Sequence, residues 1–151
     1  MSGDRLNLAA GCALLWAVLA GALLAGEGSL SQIFFSKEFP GSKPEYFEVA
    51  VNSRGEVSYR ETVDDEDPIV FSISEAEYAR LLALAEKLDF FRQPLASNLK
   101  VAFTGQKTLR FEGGGGVSSE TKFVHSQNPD ASALVEWFER VAETERYRAE
   151  L

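Results

Sequence analysis

The sequence predicts an α+β domain, in which an antiparallel sheet carries two helices on one face and follows an apolar N-terminal helix. Three patterns indicate this arrangement. An uncharged apolar run occupies residues 8–25. Residues 46–73 alternate between apolar and polar side chains, with the period of two that is typical of strands. Residues 74–91 and 128–147 carry apolar side chains at helical spacing.

The apolar run at residues 8–25 predicts that the rest of the chain lies outside the cytoplasm. Its length lies in the range of a spanning helix, about 17 to 25 residues, and just above that of the apolar part of a signal peptide, about 7 to 15 residues. Residues 1–26 are therefore interpreted either as a cleaved signal peptide or as a retained membrane anchor. Both interpretations predict a periplasmic, cell-surface or secreted domain, and the second adds membrane contact through this segment.

The remaining residues divide into a linker with an N-terminal arm, residues 27–45, and a globular domain, residues 46–151. Glycine and serine make the start of the linker flexible. Residues 33–36 form either a first strand or an apolar arm, before Pro40 and Pro44 interrupt the chain.

The composition argues against several classes of function. The chain carries 23 acidic and 15 basic residues, which give a net charge of −8. Such a surface repels polyphosphate, so we expect no binding to nucleic acid. Cys12 is the only cysteine, which leaves the globular domain without disulfides or a thiolate zinc site. No sequence motif indicates a cofactor-binding site.

The first half of the globular domain predicts three strands. Residues 46–52 and 57–63 form a hairpin around a turn at residues 52–55. Alternating apolar side chains predict the third strand over residues 69–73, after an acidic connection.

The first helix follows directly. Ser74 and Glu77 have the spacing of a capping box, in which each side chain bonds the backbone amide of the other residue. The helix ends near Phe90 and Phe91, before a proline. Its apolar face consists of Tyr78, Leu81, Leu82, Ala85 and Leu88.

The second half predicts further strands and the second helix. Val101 and Phe103 indicate a short strand, Leu109 and Phe111 another, and residues 120–126 a third.

Asn128 followed by Pro129 is typical of a helix start, and Asp130 is favourable at the positive end of the helix dipole. This second helix should reach about Tyr147. Its core-facing side chains are Leu134, Trp137, Phe138 and Val141.

The acidic run Asp64, Asp65, Glu66 and Asp67 is a candidate calcium loop, because hard cations take several carboxylate oxygens. It lacks the spaced ligands and the glycine of an EF-hand loop. A solvated connection that discourages edge pairing explains the run equally well.

Three other features of the sequence are candidate sites. Phe90 and Phe91 form either an interaction patch or part of the core at the helix end. His125, the only histidine, has no nucleophile and carboxylate evident in the sequence that would complete a triad with it. The glycines at residues 113–116 lack the Lys-Ser/Thr of a phosphate-binding loop. No catalytic or cofactor-binding residue is therefore assigned.

Short motifs carry a family resemblance. Residues 55–59 have the form Gly-x-Val-x-Tyr within the hairpin, and residues 88–91 end the first helix with Leu-Asp-Phe-Phe. Together with residues 142–147 of the last helix, they make residues 46–148 resemble an uncharacterised family of bacterial extracytoplasmic α+β domains. The chain departs from that family in lacking a cysteine-containing strand near the hairpin. The resemblance implies a fold and a location, without an activity or functional residues.

We therefore expect an extracytoplasmic, non-catalytic domain that binds another component of the cell envelope, such as a protein. The alternative is a hydrolase that acts on cell-wall or polysaccharide substrate through carboxylates. That chemistry requires a cleft in which two acids lie about 5 to 10 Å apart.

Overall fold

The computed structural model describes residues 30–151. Six antiparallel strands and two α-helices confirm the α+β class. The strands are β1 (Gln32–Glu38), β2 (Tyr46–Asn52), β3 (Glu56–Arg60), β4 (Ile69–Ser72), β5 (Gln106–Glu112) and β6 (Ser118–Phe123). The helices are α1 (Glu75–Lys87) and α2 (Pro129–Glu150). The apolar segment at residues 8–25 lies outside the described residues, and within residues 30–151 no helix has the length and hydropathy to cross a bilayer.

The strand order is β4-β3-β2-β1-β5-β6. β1 therefore lies inside the sheet, with β2 on one side and β5 on the other. Of the two alternatives for residues 33–36, a first strand or an apolar arm, the structure shows the strand, within Gln32–Glu38. The reason is non-local: β1 pairs with β5, more than 60 residues further along the chain.

One apolar layer fills the space between the sheet and both helices. Ile33 and Phe35 of β1 are fully buried in it, and the Phe35 ring stacks on Phe138 of α2 with centroids 5.2 Å apart. Leu81 of α1 and Leu134 of α2 belong to the same cluster. Side chains of both helices and of the sheet therefore belong to one core cluster.

The other face of the sheet is polar. Phe34 points to this side and is nevertheless buried. The guanidinium of Arg110 covers its ring at 3.9 Å from the centroid, a cation–π contact that shields the ring from water.

Helix α1 begins with half of the predicted capping box. The Ser74 hydroxyl accepts a hydrogen bond from the Glu77 amide at 3.1 Å, as expected. The prediction for the Glu77 carboxylate was wrong. It accepts a 2.7 Å hydrogen bond from the indole N–H of Trp137 on α2, which exchanges a local cap for a link between the two helices.

After α1 the chain turns through a left-handed 3₁₀ segment, Asp89–Phe91, with φ values of 51°, 52° and 66°. Each non-glycine residue in this region is strained by about 1–2 kcal/mol. Contacts hold the turn in place: Phe91 is fully buried, and the Phe90 ring lies 4.7 Å from Phe111. The Ser119 hydroxyl also donates a hydrogen bond to the Phe90 carbonyl.

Several predicted boundaries differ from the structure. The short strand expected at Val101 and Phe103 is absent, and both side chains are exposed within an irregular segment. β3 ends at Arg60 and β6 at Phe123, each three residues earlier than predicted. Helix α2 starts as expected, with the Asn128 side chain accepting from the amides of its first turn.

The two phenylalanines at residues 35 and 103 test the burial pattern. Phe35→Ala removes a fully buried ring, so we expect it to lower the free energy of unfolding by about 3–5 kcal/mol. Phe103→Ala, at a side chain that is 52% exposed, should change it by no more than about 0.5 kcal/mol. Urea unfolding followed by circular dichroism measures both, and equal effects would contradict the placement of β1.

Candidate functional site

The apolar layer ends in a charged cluster beneath helix α2. Four side chains lie side by side across four strands and face the helices: Phe47, Lys37, Lys107 and Phe123. Alternation along β1 and β5 thus brings two lysines next to each other at the edge of the core. The candidate site includes both of these lysines.

Lys37 is neutralised by an ion pair. Its ammonium lies 2.8 Å from the carboxylate of Glu139 on α2, and the two side chains are only partly exposed. Gly105 makes room for the lysine stem, because a Cβ at this position would lie 2.9 Å from Lys37 Cε. Its φ of 106° also favours glycine.

Lys107 is held differently. The residue is only 8% exposed, and its ammonium donates to the Val124 carbonyl at 2.7 Å and to the Thr104 hydroxyl at 3.3 Å. Among residues 30–151, no carboxylate forms an ion pair with it. Burial lowers the pKa of Lys107, the charge of Lys37 lowers it further, and Glu139 acts in the opposite sense.

Two clefts follow one another along α2, and Glu139 lines both. The first has a volume of about 200 Å³ and contains Lys37, Tyr59 and Arg146. Arg146 is fixed there by a 2.8 Å hydrogen bond to the Lys43 carbonyl. Burial raises the pKa of the Tyr59 hydroxyl, which donates a hydrogen bond to Glu61.

The second cleft, called the Lys107 cleft below, has a volume of about 180 Å³. Lys107 and His125 lie on its sheet side, and Ser132 and Glu136 lie on its helix side. The Nδ1 atom of His125 is buried, and no described residue bonds it.

Sequence reasoning missed this cluster. His125 and Lys107 are on different strands or their extensions, and Lys107 has no motif around it. One feature of the sequence could have indicated it: Lys107 is a charged residue in the same alternating, inward-facing series as Leu109 and Phe111.

An apolar strip lies beside the Lys107 cleft and consists of Leu99, Val101 and Phe103. These side chains are 55%, 46% and 52% exposed. Leu95, buried in the core, fixes the start of the segment, and the Phe103 ring packs edge-on against Phe39 at 5.7 Å.

The Leu99 amide donates to the Ser97 hydroxyl at 3.1 Å, but the amides that follow it in the apolar strip lack backbone partners among residues 30–151. Just before the strip, the Ser97 amide donates to the His125 carbonyl at 2.8 Å. Within the described part of the chain, the amides of residues 100–104 donate no hydrogen bond to a backbone carbonyl. Both the side chains and the backbone of the strip are therefore available for contact.

The acidic run does not form a metal centre in the structure. Asp64, Glu66 and Asp67 are exposed in the connection between β3 and β4, and Asp65 accepts a hydrogen bond from the Asp67 amide. The part of the chain that the structure describes contains no group of three or more His, Cys, Asp or Glu side chains arranged for a metal ion.

The other sequence candidates occupy structural positions. Phe91 is fully buried, which corrects its inclusion in an interaction patch, and Phe90 is half-buried against Phe111. The glycines at residues 113–116 form the connection between β5 and β6, closed by a 2.7 Å hydrogen bond from the Gly113 amide to the Val117 carbonyl.

A paired-acid site would be expected to include a carboxyl with a raised pKa in a cleft. Burial raises the pKa of Glu48, although nearby Arg60 and Arg110 oppose the shift. Glu48 lies on the polar face of the sheet, opposite Ser36 of β1, and lines neither cleft along α2. The geometry around this carboxyl does not match the hydrolase alternative.

Comparison with protein-family models and with curated proteins finds no match to the sequence. The family resemblance of residues 46–148 thus stays a prediction.

The lowered pKa of Lys107 predicts a pH dependence of stability. The unfolded chain holds this proton up to the ordinary pKa of 10.5, whereas the folded chain releases it earlier. The contribution of Lys107 to the free energy of unfolding therefore rises with pH between the two values, and is lowest below the folded pKa.

We expect the unfolding free energy of the wild type, minus that of Lys107→Met, to increase by about 1.4 kcal/mol for each pH unit in this window. Denaturant unfolding from pH 7 to pH 10 measures it. Lys122→Met is the matched control, because Lys122 is largely exposed on the neighbouring strand. A difference that is flat with pH, as in the control, would show that the pKa of Lys107 is not lowered.

Proposed function

We propose that this chain is an extracytoplasmic, non-catalytic domain that binds another protein of the cell envelope through the apolar strip. The observation that carries the proposal is the exposure of Leu99, Val101 and Phe103 on one irregular segment. Exposed apolar groups that cluster, rather than scatter, mark interaction sites.

The energetics favour a protein partner. Fully burying a large apolar side chain is worth about 1.5–3 kcal/mol, so covering the exposed half of three such residues contributes about 3 kcal/mol. The unpaired backbone of residues 100–104 can add hydrogen bonds to an extended segment of the partner. Together these contributions are enough to make the strip the centre of a larger interface.

The position of the strip agrees with attachment at the N terminus. The described chain enters the sheet at Gln32, and β1 runs seven residues to Glu38, a span of about 23 Å at 3.3 Å per residue. Phe39, which contacts the strip, comes directly after β1. The strip therefore lies near the end of β1 that is opposite to Gln32, where the described chain enters the sheet.

The strip can be tested by cross-linking in the cells that produce the protein. We expect a photoreactive residue at position 101 of the full chain to cross-link one discrete envelope protein. The variant Leu99→Ser/Val101→Ser/Phe103→Ser, with the photoreactive group moved to Lys100, should lose that product about tenfold or more, since about 3 kcal/mol is removed.

The matched control is Val63→Ser/Val70→Ser/Val117→Ser, which alters three side chains that are 60–68% exposed elsewhere on the domain. Its probe is also placed at Lys100, and it should keep the product. Equal loss in both triple variants, or no discrete product from the wild type, would rule out the strip as the binding surface.

The extracytoplasmic location has its own test. A reporter that folds only in an oxidising compartment, fused after residue 151, should be active in the full chain. Leu14→Arg/Val18→Arg should abolish that activity, because each arginine opposes membrane insertion by about 2.5–3.5 kcal/mol. Reporter activity that survives these changes would show that residues 8–25 do not direct export.

A further inference from the structure

The Lys107 cleft contains a buried cation without a matching anion. The two carboxylates that line the cleft are each in an ion pair, Glu139 with Lys37 at 2.8 Å and Glu136 with the exposed Arg140 at 3.4 Å. Among residues 30–151, the hydrogen-bond partners of the Lys107 ammonium are the neutral oxygens of Val124 and Thr104. Burying a charge without a counter-charge is unfavourable, so this position gains most from an anion.

We propose that the Lys107 cleft binds a small carboxylate, whose oxygens accept hydrogen bonds from the Lys107 ammonium and the nearby hydroxyl groups. The ammonium has three N–H groups, and two of them are already used. The third is available to the ligand.

The lining of the cleft supplies further donors to a carboxylate. Ser126 and Ser132 both line it, and each hydroxyl can donate one hydrogen bond. Ser132 belongs to the first turn of α2, the end of the helix that carries partial positive charge.

The volume limits the ligand to a small molecule. About 180 Å³ corresponds to roughly six water molecules at 30 Å³ each. Phe123 and Val135 provide an apolar wall. The site therefore suits a short carboxylic acid with an apolar carbon chain.

Binding should depend on pH with a defined sign. The charged and titratable groups around Lys107 are Lys37, Glu136, Glu139 and His125. The carboxylate binds the ammonium form, so its affinity should fall as the pH rises through the pKa of Lys107, which burial lowers. By linkage, saturation with the ligand should raise that pKa.

The test uses the full chain in detergent. The domain of residues 27–151 replaces it only if its NMR spectrum has the same dispersion as that of the full chain. Sodium butyrate is titrated at pH 7 and followed by amide chemical shifts, with sodium chloride at equal ionic strength as the reference. We expect saturable shifts at Thr104, His125, Ser126 and Ser132 with butyrate and none with chloride.

Two variants establish the role of the lysine. Lys107→Met keeps an unbranched apolar stem without the ammonium and should weaken butyrate binding about tenfold or more, as expected for loss of a charged hydrogen bond. Lys122→Met, at an exposed lysine of β6, should bind like the wild type. The spectrum of Lys107→Met reports whether the fold is retained.

Direct observation of the Lys107 side chain in the wild type makes the test independent of the variants. Its ammonium signal should titrate at a higher pH when butyrate is present. Unsaturable shifts, equal shifts with chloride, or an unchanged Lys107 titration would overturn the proposal. The butyrate titration measures ligand binding at the Lys107 cleft in the wild type, whereas the cross-linking test measures contact at the apolar strip, so this proposal and the proposed function can fail separately.

Discussion

The structure depends on the insertion of β1 between β2 and β5, fixed by the stacking of Phe35 on Phe138. In antiparallel pairing a shift of one residue would turn every inward side chain outward. The register that buries Ile33 and Phe35 also turns Lys37 towards the helices. The apolar core and the charged cluster therefore follow from the same alignment.

The two lysines at the end of the apolar core have different partners. Lys37 and Lys107 are direct neighbours in the register of β1 and β5, and like charges in such a position repel. One of them reaches Glu139, whereas the other is solvated by a carbonyl and a hydroxyl. This asymmetry gives the Lys107 cleft its chemical character, because among residues 30–151 a carboxylate pairs with Lys37 and none pairs with Lys107.

The elements that could be predicted from the sequence are those determined by interactions between residues close together in the chain. The hairpin of β2 and β3, helix α1 and the Asn128 cap of α2 all follow from alternation, helical spacing and capping. Contacts across the chain could not be predicted in this way. The Glu77 carboxylate reaches Trp137, 60 residues further on, and the central position of β1 requires β5. The Lys107 cleft likewise needs the register of two strands and the position of α2.

The segment at residues 99–104 shows why alternation alone does not make a strand. Leu99, Val101 and Phe103 have the required spacing, but a strand also needs a neighbour for its backbone, and none of residues 30–151 provides one there. An exposed apolar segment of this kind promotes self-association in most proteins. Here a net charge of −8 makes copies of the chain repel one another. The acidic surface therefore allows the strip to stay exposed, while a partner of lower or opposite charge can still approach it.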